Sequence, residues 1–372
     1  MLDPCQTGGK ATLAAYGMAY APGVANRVVL HIGAMKSGTS FIQNVLHANR
    51  ARLSEHGILF ACERWREQVL AVRELIERGG PKQEPITPDG PWQHLVDVVN
   101  EWPGTAIISM EFLAPRAEAK IAVIQDAFAG ADLQVVLTAR DLARSLPAMW
   151  TESMQNRGVR TWEEFLDAVR NEDMSQKPAR WFWKHQRVSA IATRWSDAVG
   201  REHFTLVTVP PKGAPPGVLW DRFAEVAGIP EGLCDLDVRS NPGIDAASAM
   251  VLRALNERLA EDEFSRQEYE RVVKGALAKQ GLVKRGRDSV PLGIDERWVR
   301  RRSKDELEKL RQLDIRVVGD IAELEAQPVP GVHTRKVSTE QQLAAALDGL
   351  AYLVNRQLRR GRPASEDREV TP

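Results

Sequence analysis

VVLHIGAMKSGTSFIQNVLHANRARLSEHG, residues 28–57, falls into three parts. Val28, Val29, Leu30 and Ile32 form a short apolar run rich in β-branched residues, the pattern of a buried strand. Gly33 to Ser40 is a tight loop. Phe41, Ile42, Val45, Leu46 and Leu53 then recur at helical spacing on one face, and Gly57 stands where a left-handed residue commonly ends a helix. In a strand–loop–helix order, loop amides and the helix N-terminus converge on one point that favours an anion. Lys36 adds a full positive charge there, and Ser37, Thr39 and Ser40 add hydroxyls.

The spacing narrows the chemistry. Gly33 and Gly38 lie five apart, as at the start of a P-loop, but a nucleoside-triphosphatase loop needs Lys and Ser/Thr directly after the second glycine. Here Thr39 follows Gly38, and the lysine, Lys36, lies inside the loop. Lys36-Ser37-Gly38-Thr39-Ser40 resembles the 5′-phosphosulfate loop of sulfotransferases that use 3′-phosphoadenosine 5′-phosphosulfate (PAPS), with Met35 in place of the usual proline. The resemblance implies an α/β fold, a doubly wound parallel sheet of P-loop and sulfotransferase type. It implies PAPS as cosubstrate and no metal. Ser37, Gly38, Thr39 and Ser40 would hold the 5′-phosphate, and Lys36 would face the bridging oxygen.

Two later stretches extend it. Ala106 to Ser109 reads as another buried strand, with Glu111 just past its end. The C-terminal ends of parallel strands face the ligand crevice in open α/β sheets. A Ser-x-Glu at this place, here Ser109 and Glu111, resembles the catalytic base segment of carbohydrate-type sulfotransferases; the alternative is a glutamate capping the helix expected at 116–129. Leu133 to Thr138 is the clearest strand, followed by Arg140 and a helix to about Asn156. This resembles the 3′-phosphate segment, in which Arg and a Ser eight residues later bind the cofactor. Arg140 matches, and a planar guanidinium suits phosphate. The eighth residue on is Ala148, a departure; Ser145 lies on the same helix, rotated from that position, and is the substitute candidate. The structural alternative for Arg140 is a salt bridge to Asp141 or to a neighbouring helix.

Composition sets outer limits. Lys plus Arg and Asp plus Glu both number 50, so global charge gives no argument for nucleic acid or an anionic membrane. The cysteines, Cys5, Cys62 and Cys234, are odd in number and form no CxxC pair, which points to a reducing compartment and a cytoplasmic protein. The histidines show no metal-ligand spacing, and no apolar run reaches membrane-spanning length. Residues 11–25 faintly mimic a signal peptide, but Gly17, Pro22 and Gly23 interrupt them, so a disordered leader over 1–26, or a start at Met18, is the expectation.

The rest of the chain is expected as follows. Helices span 64–78 and 92–101, separated by a Pro- and Gly-rich loop at 79–91 that suits a substrate-facing or plain surface excursion. Thr161 to Glu164 forms a capping box, a long aromatic-rich helix runs from Arg180 to Val199 with His185 as a second acid/base candidate, and Phe204 to Val209 is the last parallel strand. The PAPS-binding domain then covers 27–230. A helical part follows over 231–360, with helices at 245–260, 264–280, 295–326 and 338–360, and a disordered tail over 361–372. Within it, Ser240 to Gly243 is a turn, and Lys284-Arg285-Gly286-Arg287 is either a solvated basic turn or a segment folding back on the 3′-phosphate. The implied reaction is sulfuryl transfer to a hydroxyl or amine of a small-molecule, glycan or lipid acceptor, with Glu111 taking the proton. A small-molecule kinase using ATP and a non-catalytic nucleotide-binding relative are the other classes. Acceptor and oligomeric state are not encoded in these motifs.

Overall fold

The computed structural model describes residues 25–80, 82–215, 217–238, 243–259, 264–285 and 289–360. The leader to residue 24, the tail from 361, most of the turn at 240–243, and Gly286 with Arg287 lie outside the described residues.

Six parallel strands form one sheet: β1 (Arg27–His31), β2 (Ile58–Phe60), β3 (Thr105–Ser109), β4 (Asp132–Ala139), β5 (Phe204–Thr208) and β6 (Arg316–Val318), in the order β2-β3-β1-β4-β5-β6. The doubly wound α/β expectation holds. Alternation places Val28, Leu30, Ile108, Val135, Leu137 and Leu206 in one core layer and Val29, Ile107, Val136 and Val207 in the other, so both faces are covered by helices. Successive strands go to β3 on one side of β1 and to β4 on the other. β1 is therefore the switch point, and the crevice beyond its C-terminal end is where such sheets bind ligands.

The chain divides into two compact units. The first takes the described residues of Met1–Ser145, Trp181–Ser240 and Trp298–Ala326, and carries the sheet; the second takes those of Leu146–Arg180, Asn241–Arg297 and Gln327–Pro372.

Three details depart from the periodicity. Residues 39–55 form two helices, Thr39–Ala48 and Arg50–Glu55, because Asn49 leaves helical geometry while its side chain bonds the Val45 and Asp235 carbonyls. The long helix from Arg180 is also two, Lys177–Gln186 and Val188–Val199, broken at Arg187. The restart is stabilised by Glu306, whose carboxylate accepts from the Ser189 amide at 3.1 Å and hydroxyl at 2.7 Å. Finally, 295–326 is not one helical stretch: Arg297–Arg311 is helical, and then β6 adds to β5 with Leu206 opposite Val317. A three-residue edge strand is too short to leave a period in sequence.

In the second unit Arg285 takes neither of the roles considered for the basic turn. Its side chain is 2% exposed and bonds Asp245 and Asp348, each at 2.9 Å. Asp245 also accepts from the Ser248 and Val290 amides, both at 2.8 Å. Arg285 is a buried cross-link among chain segments of its own unit.

Candidate functional site

The site begins with three left-handed residues in the β1 loop: Gly33 at φ 37°, Lys36 at φ 65° and Gly38 at φ 85°. A Cβ on Gly33 would stand 2.6 Å from Thr39 Oγ1 and 3.0 Å from Thr138 Oγ1, so that position is closed to any side chain. Lys36 is not glycine, and holding a lysine in the left-handed region costs energy that the surrounding structure must offset.

What offsets it is a set of braces. The Ala34 amide donates to the Thr138 carbonyl at 2.7 Å, and the Met35 carbonyl accepts from the Gln186 side chain at 2.7 Å. Ser37 is wholly buried, and its hydroxyl bonds the Ala34 carbonyl at 2.6 Å and Thr138 Oγ1 at 2.7 Å. The Ser37 hydroxyl, expected on the phosphate, is spent inside the loop. Gly38 precedes the helix Thr39–Ala48 as its N-cap, without a side-chain cap. The Phe41 amide bonds the Gly38 carbonyl at 2.9 Å, so the Thr39 and Ser40 amides are the ones the helix itself leaves to outside partners. Thr39 Oγ1 is buried with no hydrogen-bond partner among the described residues, and Ser40 is exposed on the same turn.

Beneath the loop lies a network that the motif reading did not include. His31, fully buried at the end of β1, bonds Ser109 Oγ of β3 at 2.8 Å through Nδ1 and Thr138 Oγ1 of β4 at 3.0 Å through Nε2. Thr138 passes the chain on to Ser37. One polar residue from each of the three central strands thus ties the sheet to the loop. The signal was present in sequence: each of these apolar strands carries its only buried polar side chain near its C-terminal end, as His31, Ser109 and Thr138.

Burial pushes the His31 imidazole down to about 3 and the His185 imidazole to about 4. Both are neutral in the folded protein at pH 7. Unfolded, each binds a proton below about pH 6.5, so the unfolded state gains protons first and stability falls as pH drops through that value. Each histidine contributes a slope of about 1.4 kcal/mol per pH unit between about 6.5 and its folded pKa. Urea unfolding between pH 7 and 5 should show this loss, and His31→Gln should remove one histidine's share of the slope. An unchanged slope would place the acid sensitivity elsewhere. His185 Nδ1 donates to the Trp181 carbonyl at 2.8 Å, and its low basicity makes it a poor general base at neutral pH.

Glu111 lies just past β3 and is half-buried. Gln43, on the helix after the loop, donates to the Ser109 carbonyl at 2.9 Å and reaches Glu111 Oε2 at 3.5 Å. Gln43 therefore links the lysine-bearing segment to the strand end that carries the carboxylate. The capping alternative fails, because the following helix, Glu118–Ala127, has Ala117 as its N-cap.

At the end of β4, Asp141 is taken by Arg144, whose amide bonds Asp141 Oδ1 at 2.8 Å and whose Nε bonds Asp141 Oδ2. Arg140 is thus released from the ion pair expected of a neighbour. Its Nη2 donates to the Arg144 carbonyl at 2.8 Å, while its Nε is buried with no partner among the described residues. Burial, with Arg144 beside it, pushes the guanidinium down to about 10, so it stays charged at neutral pH. Ser145 is wholly buried, and its hydroxyl too has no partner among the described residues. Buried polar atoms are almost always hydrogen-bonded, so these two orphans, five residues apart, are donors that a ligand oxygen could satisfy. Phosphate oxygens match both donors, so the residues present fit a 3′-phosphate. Among the described residues no group of three or more His, Cys, Asp or Glu is placed to hold a metal ion, and no helix is long and apolar enough to cross a membrane.

No family model matches the chain, and no curated protein does. Among solved structures, a sulfotransferase from Alicyclobacillus acidocaldarius aligns over 64% of this chain and 98% of its own, at 17% identity and a TM-score of 0.39. At that distance the likeness carries no weight, and the α/β assignment stands on the six-stranded parallel sheet itself.

Proposed function

We propose that the chain is a sulfotransferase that moves a sulfuryl group from PAPS to a hydroxyl or amine of a small-molecule, glycan or lipid acceptor. The observation that carries this reading is the pairing of two features at the C-terminal side of the sheet. One is a left-handed loop with its lysine inside it; the other is Arg140 and Ser145, with buried donors that have no partner. A nucleotide phosphorylated at both its 5′ and 3′ positions calls for two such anion sites, whereas ATP calls for one extended triphosphate cradle with a lysine after Gly38.

PAPS supplies the activated sulfuryl group. The loop from Gly33 to Ser40 and the first amides of helix Thr39–Ala48 hold the 5′ side, and Arg140 and Ser145 select the 3′-phosphate. Lys36 sets a positive charge where negative charge grows on the leaving oxygen, and Glu111 accepts the acceptor's proton. Gln43 and the His31 network keep these groups in register.

Thermal-shift measurements with PAP, AMP and ATP with Mg²⁺ test the cofactor, and transfer of labelled sulfate from PAPS to a panel of hydroxyl and amine acceptors tests the reaction. PAP should stabilise the protein more than either competitor. Stabilisation by ATP with Mg²⁺ but not by PAP would overturn the reading in favour of a phosphotransferase. Binding of PAP without transfer to any acceptor would favour a non-catalytic relative.

Ser145→Ala separates a binding hydroxyl from a buried leftover. Removing an orphaned hydroxyl should leave the unliganded protein as stable as before or slightly more so. PAP should bind more weakly by roughly 1.5–3 kcal/mol, the worth of a hydrogen bond to a charged group, and AMP should bind unchanged. Calorimetry with the two ligands reads this directly; equal weakening of both would remove Ser145 from the 3′-phosphate.

A further inference from the structure

The C-terminal helix Thr339–Arg360 is built inside out. Its inward face carries small or flat residues. Ala345 is fully buried, a Cβ on Gly349 would stand 2.7 Å from Leu277, and the Tyr352 ring packs over Gly281. On the opposite face Leu343, Leu347, Leu350, Val354 and Leu358 are 58%, 55%, 58%, 49% and 64% exposed. Single exposed apolar residues are ordinary, but five on one stripe of one helix are a surface awaiting cover.

The spacing identifies the cover. From Leu343 the steps are four, three and four residues to Leu347, Leu350 and Val354, the alternation of a coiled-coil seam. Such a seam laid antiparallel on its own copy is self-complementary. Leu347 meets Leu350 of the second copy, Leu350 meets its Leu347, and Leu343 and Val354 close the outer layers in the same reciprocal way. A two-fold axis needs this reciprocity. Charge agrees: Glu340 opens the helix and Arg356 and Arg359 close it, so the antiparallel arrangement brings each acidic end beside a basic one and opposes the two helix dipoles. A parallel pair would stack like charges at both ends.

We propose that the protein forms a two-fold homodimer through an antiparallel pairing of the helices Thr339–Arg360. Sedimentation velocity on the full chain across the micromolar range should show a species of twice 41.4 kDa in equilibrium with monomer. Leu347→Glu places a charge in two of the layers, since both copies carry it, and should raise the dissociation constant roughly 100-fold or more. The position is exposed in the monomer, so the fold should persist, checked by circular dichroism. Adding Leu350→Lys to Leu347→Glu should restore the dimer, because antiparallel layers set each glutamate against a lysine of the other copy. A parallel pairing would set like against like.

A monomer at every concentration would overturn the proposal. If removal of residues 1–24 then produced a dimer, the stripe would be covered by this chain's own leader. A dimer that survives Leu347→Glu, or a double variant that stays monomeric, would equally overturn it.

Discussion

Glu111→Gln should bind PAP as the parent does and lose about 10²- to 10⁴-fold in transfer rate. The amide keeps the shape of the carboxylate and its hydrogen bond with Gln43 but has no basicity. His185 is the alternative base, and burial leaves it with a pKa of about 4, so little driving force remains for proton uptake at neutral pH. The measurement is transfer rate under saturating PAPS, alongside PAP affinity by calorimetry. A parent-like rate would remove Glu111 from the chemistry. A loss of PAP affinity in step with rate would make it a support of the loop, acting through Gln43. The rate–pH profile separates the cases further: a carboxylate base gives an acid limb that Glu111→Gln abolishes, whereas a structural role leaves the limb in place.

Lys36→Ala should cost about 10²- to 10³-fold in rate, the scale seen when one preorganised donor to a developing negative charge is removed. PAP affinity should fall much less, because the loop amides and Arg140 remain. The backbone supports this split. Lys36 sits at φ 65°, a conformation alanine also tolerates poorly, so the substitution does not relax the loop by itself. The bracing bonds from Ser37, Thr138 and Gln186 do not involve the lysine side chain. Lys36→Gly is the useful companion: it removes the backbone strain as well as the charge. If Lys36→Gly is more stable than the parent and as inactive as Lys36→Ala, the charge is what the reaction needs. A folded Lys36→Ala protein with parent-like turnover would end the assignment of this loop to group transfer.

These two residues show how far motifs reach. Lys36, Gly38, Arg140 and Glu111 could be named because each follows a recognisable apolar run, and because parallel strands send whatever follows them into one crevice. Their supports were legible as single polar letters, but not as one network. His31 is a single polar letter inside an apolar strand, and nothing local says that Ser109 and Thr138 will flank it; that depends on β1 lying between β3 and β4. Ser37 illustrates the reverse case. Its place in the motif suggested a phosphate ligand, and the close approach of Thr138 turned its hydroxyl into an internal brace.

Local patterns determined the strands β1, β3, β4 and β5, the loop between Gly33 and Ser40 and most helix positions. They suffice there because strand burial, helical periodicity and glycine placement are written within windows of a few residues. The tertiary structure alone decided the strand order, the sixth strand, the breaks at Asn49 and Arg187, and the burial of Arg285 between two aspartates. Each depends on a partner far along the chain: β5 for β6, Asp235 for Asn49, Glu306 for the helix restart and Asp245 for Arg285. The free energy of a contact belongs to both partners, and a sequence window holds only one of them.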